Sequence, residues 1–208
     1  CVNSICTPSR ANILTGQHSH VNGVRTLADS MPEDATLLSE ILQDDGYQTA
    51  LFGKWHLHAR PRGFEDWAIL PGQGFYFDPL FVFPDEERAP RDTILKNEEL
   101  KGGEAAHYNF GTLTRQKGYV TDIITDMTLE WLRNRNSDQP FFLCCQHKAP
   151  HDFFEYDRVH EDVYQDVMFE EPETLFEDEA TQQEISRRYG TTVSERCEGR
   201  NMVKHLMS

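Results

Sequence analysis

The sequence is short of positive charge and has no long apolar run. Twenty Lys and Arg stand against 35 Asp and Glu among 208 residues, which gives a formal net charge of −15. This balance argues against nucleic acid and anionic membrane surfaces as partners. No apolar segment approaches the ~18 residues that a membrane-spanning helix needs. We therefore expect no membrane span and no binding partner that is itself a polyanionic surface.

Cysteine is also scarce, and its spacing carries no metal or disulfide pattern. The five cysteines are Cys1, Cys6, Cys144, Cys145 and Cys197. None forms a Cys-x-x-Cys pair, which argues against a zinc site, and the odd count predicts no disulfide framework. The adjacent pair at 144 and 145 lies in an apolar run, so we expect both to be core residues.

The acidic residues are concentrated towards the end of the chain. Residues 151–208 contain 15 acidic and 6 basic side chains, so −9 of the net −15 lies there. The remainder is nearer neutral and can bind an anion through local charge. We predict an acidic, loop-rich tail over residues 152–208, with a helix from about Thr181. The 208 residues suffice for one domain with a sizeable core.

The segment Cys6–Gly16 predicts a short helix with a reactive side chain at its start. Thr7 is the expected N-cap, Pro8 is tolerated in the first turn, and the final glycine is the expected stop. Cys6 then stands at the positive end of a helix dipole, with Arg10 about one turn further on. Both features favour an anionic group held beside Cys6.

A helix followed by a strand comes next in the sequence. Apolar residues at helical spacing predict a helix that begins at Thr36 and ends at Gly46. The short run 47–52 predicts a strand, which leads directly into Lys54 and His56. Polar side chains at the carboxyl end of a parallel strand lie where open α/β sheets bind ligands.

A second helix and strand repeat this arrangement. Thr121 is the expected cap of a helix that stops in the segment 134–140. The continuous apolar run 141–146 predicts a central parallel strand buried on both faces. It leads into His147-Lys148-Ala149-Pro150-His151, of which the first two residues add positive potential. Two such units predict a doubly wound, mostly parallel α/β sheet flanked by helices.

Residues 60–118 are rich in aromatic residues and interrupted by Gly and Pro. We expect short strands or a hairpin, in an insertion or a substrate-facing region. The aromatic side chains have two open interpretations. They line a sugar or aryl pocket, or they form the core of an insertion on the sheet.

The string Cys6-Thr-Pro-Ser-Arg10, followed by Leu14-Thr-Gly16, resembles the signature of the type I, formylglycine-dependent sulfatases. The resemblance implies an alkaline-phosphatase-like α/β domain. It also implies that a formylglycine-generating enzyme oxidises Cys6 to an aldehyde, whose hydrate attacks the sulfur of a sulfate ester. Expected substrates are sulfated carbohydrates or aryl and alkyl sulfates, and the family's usual location is periplasmic or secreted.

The resemblance also implies roles for individual residues. Arg10 matches the arginine that orients the formylglycine made from Cys6. Lys54 and His56 match a Lys-x-His pair, in which the lysine holds a sulfate oxygen and the histidine bonds the hydrated aldehyde. His151 matches the histidine that contacts sulfate and protonates the leaving oxygen. A Ca²⁺ ion is implied as cofactor, with the residue at Cys6 as its one expected ligand in this chain.

The resemblance covers only the middle of a sulfatase catalytic domain. The family's Asp-Asp metal ligands precede the cysteine motif, whereas its Asp-Asn pair and second lysine follow the histidine at 151. Asp157 and Asp162 lie in loop context and do not replace them. We therefore expect residues 1–208 to be an internal, incomplete part of an N-terminal catalytic domain. Most calcium ligands then lie outside the chain, which is expected to be inactive alone.

Three alternatives remain open. The first is a phosphodiester or phosphonate monoester hydrolase of the same superfamily, some members of which share the cysteine motif. The second is an unmodified relative that binds sulfated glycans without cleaving them. The third is a hydrolase with Cys6 itself as nucleophile, which is less favoured because its base would be a single His oriented by Asn or Asp.

Overall fold

The computed structural model describes residues 3–95, 108–170 and 184. The chain divides into two compact units, Cys1–Ala149 and Pro150–Ser208. In the second unit the described backbone forms turns and one short 3-10 turn, Arg158–His160. The predicted helix from about Thr181 and much of the acidic tail lie outside the described residues.

The first unit is built on one mixed sheet. Its strands are β1 (Gln48–Lys54), β2 (Asp66–Leu70), β3 (Leu80–Phe83), β4 (Thr112–Arg115) and β5 (Phe141–Gln146). Their order across the sheet is β4-β3-β2-β1-β5. The central strand β1 pairs in parallel with β2 and β5, whereas β3 is antiparallel to both of its neighbours. The predicted α/β class and the strand after residue 46 are confirmed.

Four α-helices accompany the sheet in the part of the chain that the structure describes. They are α1 (Cys6–Thr15), α2 (Ser19–Asn22), α3 (Leu38–Asp44) and α4 (Val120–Asn134). The longest, α4, packs the side chains of Val120 and Ile124 into the core, both fully buried. The helices predicted after the cysteine motif, before β1 and before β5 are therefore all present.

None of the three threonines caps the helix that it was expected to cap. The N-cap residues are Ile5, Leu37 and Tyr119, and each has extended backbone. Before α3 the carboxylate of Glu40 accepts a bond from the Leu37 backbone N–H at 3.3 Å, which satisfies that donor instead. Thr7 lies inside α1, where its hydroxyl serves a contact described below.

Three of the five strands come from the aromatic stretch 60–118, in which we predicted short strands or a hairpin. β2 pairs with β1 over five positions, so this stretch forms part of the main sheet. Among its described residues six aromatic side chains are buried: Phe64, Trp67, Tyr76, Phe81, Phe83 and Tyr108. Phe75 and Phe77 are exposed. Most of these aromatics therefore form the core on the two faces of the sheet.

The position predicted for β5 is wrong. β5 forms one edge of the sheet, and no strand pairs with its outer side within the described part of the chain. Phe141 is 41% exposed, Cys145 is exposed and Cys144 is half-buried, so the two cysteines are not core residues. Side chains of an edge strand pack against same-face neighbours on one side only, and in the described residues β5 has β1 as its single neighbouring strand, so its apolar run is only partly covered.

Candidate active site

The carboxyl ends of β1 and β5 come unusually close to each other. Gly53 lies opposite Gln146 in the strand register and has a φ of +106°, which only glycine adopts readily. A Cβ atom at this position would overlap the carbonyl oxygen of Gln146 and lie 2.8 Å from its carbonyl carbon. The missing side chain therefore lets the backbone of Lys54 emerge beside Gln146.

In space, the first turn of α1 lies beside the carboxyl end of β1, and this places Cys6 next to His56. The Sγ atom of Cys6 lies 3.2 Å from Nδ1 of His56. The backbone of His56 is left-handed, with a φ of +54°, although it is not glycine. The buried Thr7 hydroxyl donates to the His56 carbonyl at 2.8 Å. This bond ties the first turn of α1 to the strained backbone that aims the imidazole.

Arg10 joins the helix to both strand ends. Its Nη1 donates to the Lys54 carbonyl at 2.6 Å and also to Oε1 of Gln146. Burial lowers the pKa of Arg10 below its ordinary value, while Cys6 and Cys144 act in the opposite direction. A guanidinium nonetheless stays protonated at neutral pH. Arg10 therefore supplies a permanent positive charge about one helical turn from Cys6.

Two buried lysines meet at one glutamine near the same strand ends. Nζ of Lys54 donates to Oε1 of Gln73 at 2.5 Å, and Nζ of Lys148 donates to the Gln73 backbone carbonyl at 3.2 Å. Lys54 is only 2% exposed and Lys148 only 4%. The Lys148 ammonium also lies 4.6 Å from the centre of the Tyr76 ring. Buried ammonium groups are costly and are concentrated at functional sites.

A cavity of about 350 Å³ opens beside Cys6. It is lined by Cys6, Ser9, Arg10, Ile13, Leu14, Trp55, Cys144 and Gln146. Its volume is within the range of small-molecule sites. Burial raises the pKa of the Cys144 thiol, and a bond to Gln146 and the charge of Arg10 offset only part of this effect. Cys144 therefore lines the cavity as a neutral thiol at physiological pH.

Of the five predicted site residues, Cys6 and His56 are in side-chain contact, and Arg10 lines the cavity beside Cys6 and bonds the backbone carbonyl of Lys54. His151 belongs to the second compact unit, where it is half-buried and its carbonyl accepts a bond from the Phe154 N–H at 3.2 Å. Its role stays a prediction. Three further residues of the site, Thr7, Gln73 and Gln146, were not predicted from the sequence. Of these, only Gln146 had a signal, its place at the end of an apolar strand.

The residues around Cys6 do not by themselves form a calcium site. Ca²⁺ takes about six to eight oxygen ligands, mostly carboxylates and carbonyls. The described ranges contain no group of three or more His, Cys, Asp or Glu side chains that could hold a metal ion. The side chains beside Cys6 include an imidazole and a guanidinium.

No helix in the described ranges is long and apolar enough to cross a membrane.

Comparison with known proteins identifies the family. A family model described as Sulfatase matches residues 2–195. The N-acetylglucosamine-6-O-sulfatase of Bacteroides thetaiotaomicron is 37% identical over 180 residues, which are 85% of this chain and 28% of that protein. The human N-acetylgalactosamine-6-sulfatase is 27% identical over 168 residues, 72% of this chain and 31% of that protein.

A solved structure of a protein in complex with its substrate, D-glucosamine-2-N,6-O-disulfate, is also similar. It superposes with a TM-score of 0.69 and 36% identity, over 86% of this chain and 31% of the other. The chain therefore spans less than a third of the length of these relatives. The match of the family model and the mixed α/β sheet agree with the resemblance carried by the cysteine motif. The chain belongs to the sulfatase family and has its alkaline-phosphatase-like fold.

Proposed function

We propose that the whole protein hydrolyses sulfate esters of carbohydrates, with Cys6 as the precursor of a formylglycine nucleophile. The observation that supports this most is the placement of Cys6 Sγ 3.2 Å from His56 Nδ1, at the start of α1. A reactive group, an imidazole and the N-terminus of a ten-residue helix converge there. Such a helix end favours a bound anion.

Each cationic or imidazole group has a proposed task. Lys54 binds an oxygen of the sulfate group, and Arg10 orients residue 6 and offsets negative charge. His56 lies within hydrogen-bond reach of residue 6 and accepts a proton from its hydroxyl after modification. His151 donates a proton to the leaving oxygen. The hydrated aldehyde supplies the nucleophilic hydroxyl.

The family makes Ca²⁺ an expected cofactor, but the described residues do not form its site. Residue 6, once modified, offers one oxygen ligand, and the remaining ligands must come from elsewhere. The roles proposed for Arg10, Lys54 and His56 depend only on their contacts with residue 6 and with the bound sulfate group.

A 6-O-sulfated amino sugar is the proposed substrate. Two similar proteins support it, one named an N-acetylglucosamine-6-O-sulfatase and one solved with D-glucosamine-2-N,6-O-disulfate. Each is more than a third identical to this chain over most of the length of this chain. The assay should therefore compare N-acetylglucosamine 6-sulfate with an aryl sulfate, and we expect higher kcat/KM for the sugar.

The decisive experiment is mass spectrometry of the Cys6 peptide, combined with turnover of the whole protein. Coexpression with a formylglycine-generating enzyme should replace the Cys6 sulfur with an aldehyde oxygen. Cys6→Ala should abolish hydrolysis without loss of fold, whereas Cys145→Ala, at the exposed cysteine of β5, should leave it unchanged. Full hydrolysis by the Cys6→Ala variant would overturn the proposal.

One observation favours a second candidate, a hydrolase that uses the Cys6 thiol directly. A sulfur 3.2 Å from an imidazole nitrogen is also the geometry of a Cys–His pair. In that case Cys6 keeps its sulfur and iodoacetamide inactivates the enzyme. If Cys6 keeps its sulfur and the protein binds sulfated sugars without hydrolysis, it is a binding relative. A preference for phosphate diesters or phosphonates would identify the phosphorus-ester alternative.

A further inference from the structure

Gln73 contacts two lysines through two different groups. Its side-chain oxygen accepts from Lys54 Nζ at 2.5 Å, and its backbone oxygen accepts from Lys148 Nζ at 3.2 Å. Lys54 is the last residue of β1, and Lys148 follows the end of β5 by two positions. One residue from a loop therefore connects cations delivered by two neighbouring parallel strands.

The loop that carries Gln73 is itself firmly held. The Gly72 N–H donates to the hydroxyl of the buried Tyr108 at 2.9 Å, and the Gly74 N–H donates to the Pro71 carbonyl at 3.0 Å. Further along, the buried Tyr76 accepts a bond from the Val120 N–H at 2.8 Å through its carbonyl. Bonds on both sides of Gln73 thus hold the backbone that carries it in place.

The chemistry of a glutamine suits a cationic anion-binding site. Its amide oxygen accepts a hydrogen bond from an ammonium group but carries no charge of its own. It orients Lys54 without cancelling the positive charge of the ammonium group. A glutamate in the same place would cancel that charge. The Tyr76 ring, with Lys148 Nζ 4.6 Å from its centre, likewise favours the cation through its π face and adds no net charge.

We propose that Gln73 is a positioning residue that holds Lys54 and Lys148 as a paired cationic site for the sulfate group. Lys148 then acts as a second sulfate-binding cation beside Lys54. The inference rests on the sulfate binding contained in the proposed function, but it does not require turnover. It therefore predicts binding of free sulfate ion, the product of the reaction, as well as of the ester.

The test is calorimetric titration of the whole protein with sodium sulfate at low ionic strength. Gln73→Glu preserves the size and the acceptor but adds a negative charge beside Lys54, so sulfate affinity should fall at least about tenfold. Lys148→Met removes one cation at similar side-chain length and should weaken binding about tenfold as well. Gln139→Glu makes the same charge change at an exposed residue before β5 and should leave the affinity unchanged.

The outcomes separate this inference from the proposed function. If Gln73 serves only to hold the loop, the isosteric Gln73→Glu variant keeps wild-type sulfate affinity, and the inference is wrong. It is also wrong if the wild-type protein binds no sulfate. If Gln73→Glu does not fold, as circular dichroism would show, unchanged affinity in Lys148→Met refutes it. Sulfate binding that depends on Gln73 without ester hydrolysis supports the inference and refutes only the hydrolytic function.

Discussion

The substitution Gly53→Ala should damage both the sheet and the site, because a Cβ at Gly53 would meet the backbone of Gln146 on the neighbouring strand β5. Two separate costs arise. An alanine would be held at a φ of +106°, a backbone conformation that costs a non-glycine residue about 1–3 kcal/mol. Its Cβ would also overlap the Gln146 carbonyl and lie 3.0 Å from Cδ1 of Ile124.

The second cost comes from moving the strands apart. Overpacking of this kind costs about 1–3 kcal/mol, and the nearest atoms here belong to the backbone, which yields less easily than a side chain. The expected loss is therefore about 2–6 kcal/mol, the sum of the strain and overpacking ranges. A typical domain has only about 5–15 kcal/mol of stability to lose.

Gly46→Ala is the matched control. Gly46 has a φ of +84°, but among the described residues no further atom lies within 4 Å of the position that its Cβ would take. This variant should show only the conformational cost, about 1–3 kcal/mol. The difference between the two variants isolates the clash with Gln146.

Thermal and urea unfolding of the whole protein measure the difference, and kcat/KM on a sulfate ester measures the site. Separation of the strands should move Lys54 away from Gln146, so Arg10 can no longer donate to both. Activity should therefore fall at least tenfold in Gly53→Ala, and little in Gly46→Ala. Equal destabilisation of the two variants would show that the close approach of β1 and β5 has no energetic consequence and would refute the reasoning.

Three further predictions concern single contacts. Thr7→Val removes the bond from the Thr7 hydroxyl to the buried His56 carbonyl, so it should lower the free energy of unfolding by about 1–3 kcal/mol and lower kcat. The control Thr128→Val removes only a bond to the Ile124 carbonyl of its own helix, so its free energy of unfolding should fall by less than about 1 kcal/mol. Arg10→Lys keeps the charge, but its side chain is shorter and its ammonium lacks the planar guanidinium geometry that reaches the Lys54 carbonyl and Gln146, so kcat/KM should fall at least about tenfold; wild-type activity would show that these two contacts are dispensable. Because burial raises the pKa of the Cys144 thiol, iodoacetamide at pH 8 should alkylate Cys144 more slowly than N-acetylcysteine, and the difference should shrink as pH rises through the raised pKa.

Local sequence patterns predicted the elements with strong local signals. The apolar periodicity before residue 134 and the break that follows it sufficed to predict α4. The run before Lys54 sufficed to predict β1. The cap residues were predicted wrongly; Thr7, for example, lies inside α1, and its hydroxyl donates to the distant His56 carbonyl instead of accepting a bond from a backbone N–H at the helix start. A long-range bond of this kind has no local signature.

Local sequence patterns could not predict the place of β5 in the sheet either, because that place depends on residues distant in the sequence. Its apolar run predicts a strand, but the number of neighbouring strands depends on the whole set of strands present. In the stretch 60–118 short strands were predicted, but the pairing of one of them with β1 was not. β2 pairs directly with β1, with Ala68 and Ile69 opposite Phe52 and Gly53 in register.

The sequence by itself determined which residue types this site contains. Cys6, Arg10, Lys54 and His56 each stand in a short motif, and motifs are local, so their chemistry and their family could be identified without coordinates. The tertiary structure alone decided how these groups are held. Arg10 bonds to two strand ends, Thr7 bonds to His56, and Gln73 contacts two lysines. Each of these contacts joins residues at least 19 positions apart. Such contacts depend on strand register and loop placement, which arise only when the whole sheet packs.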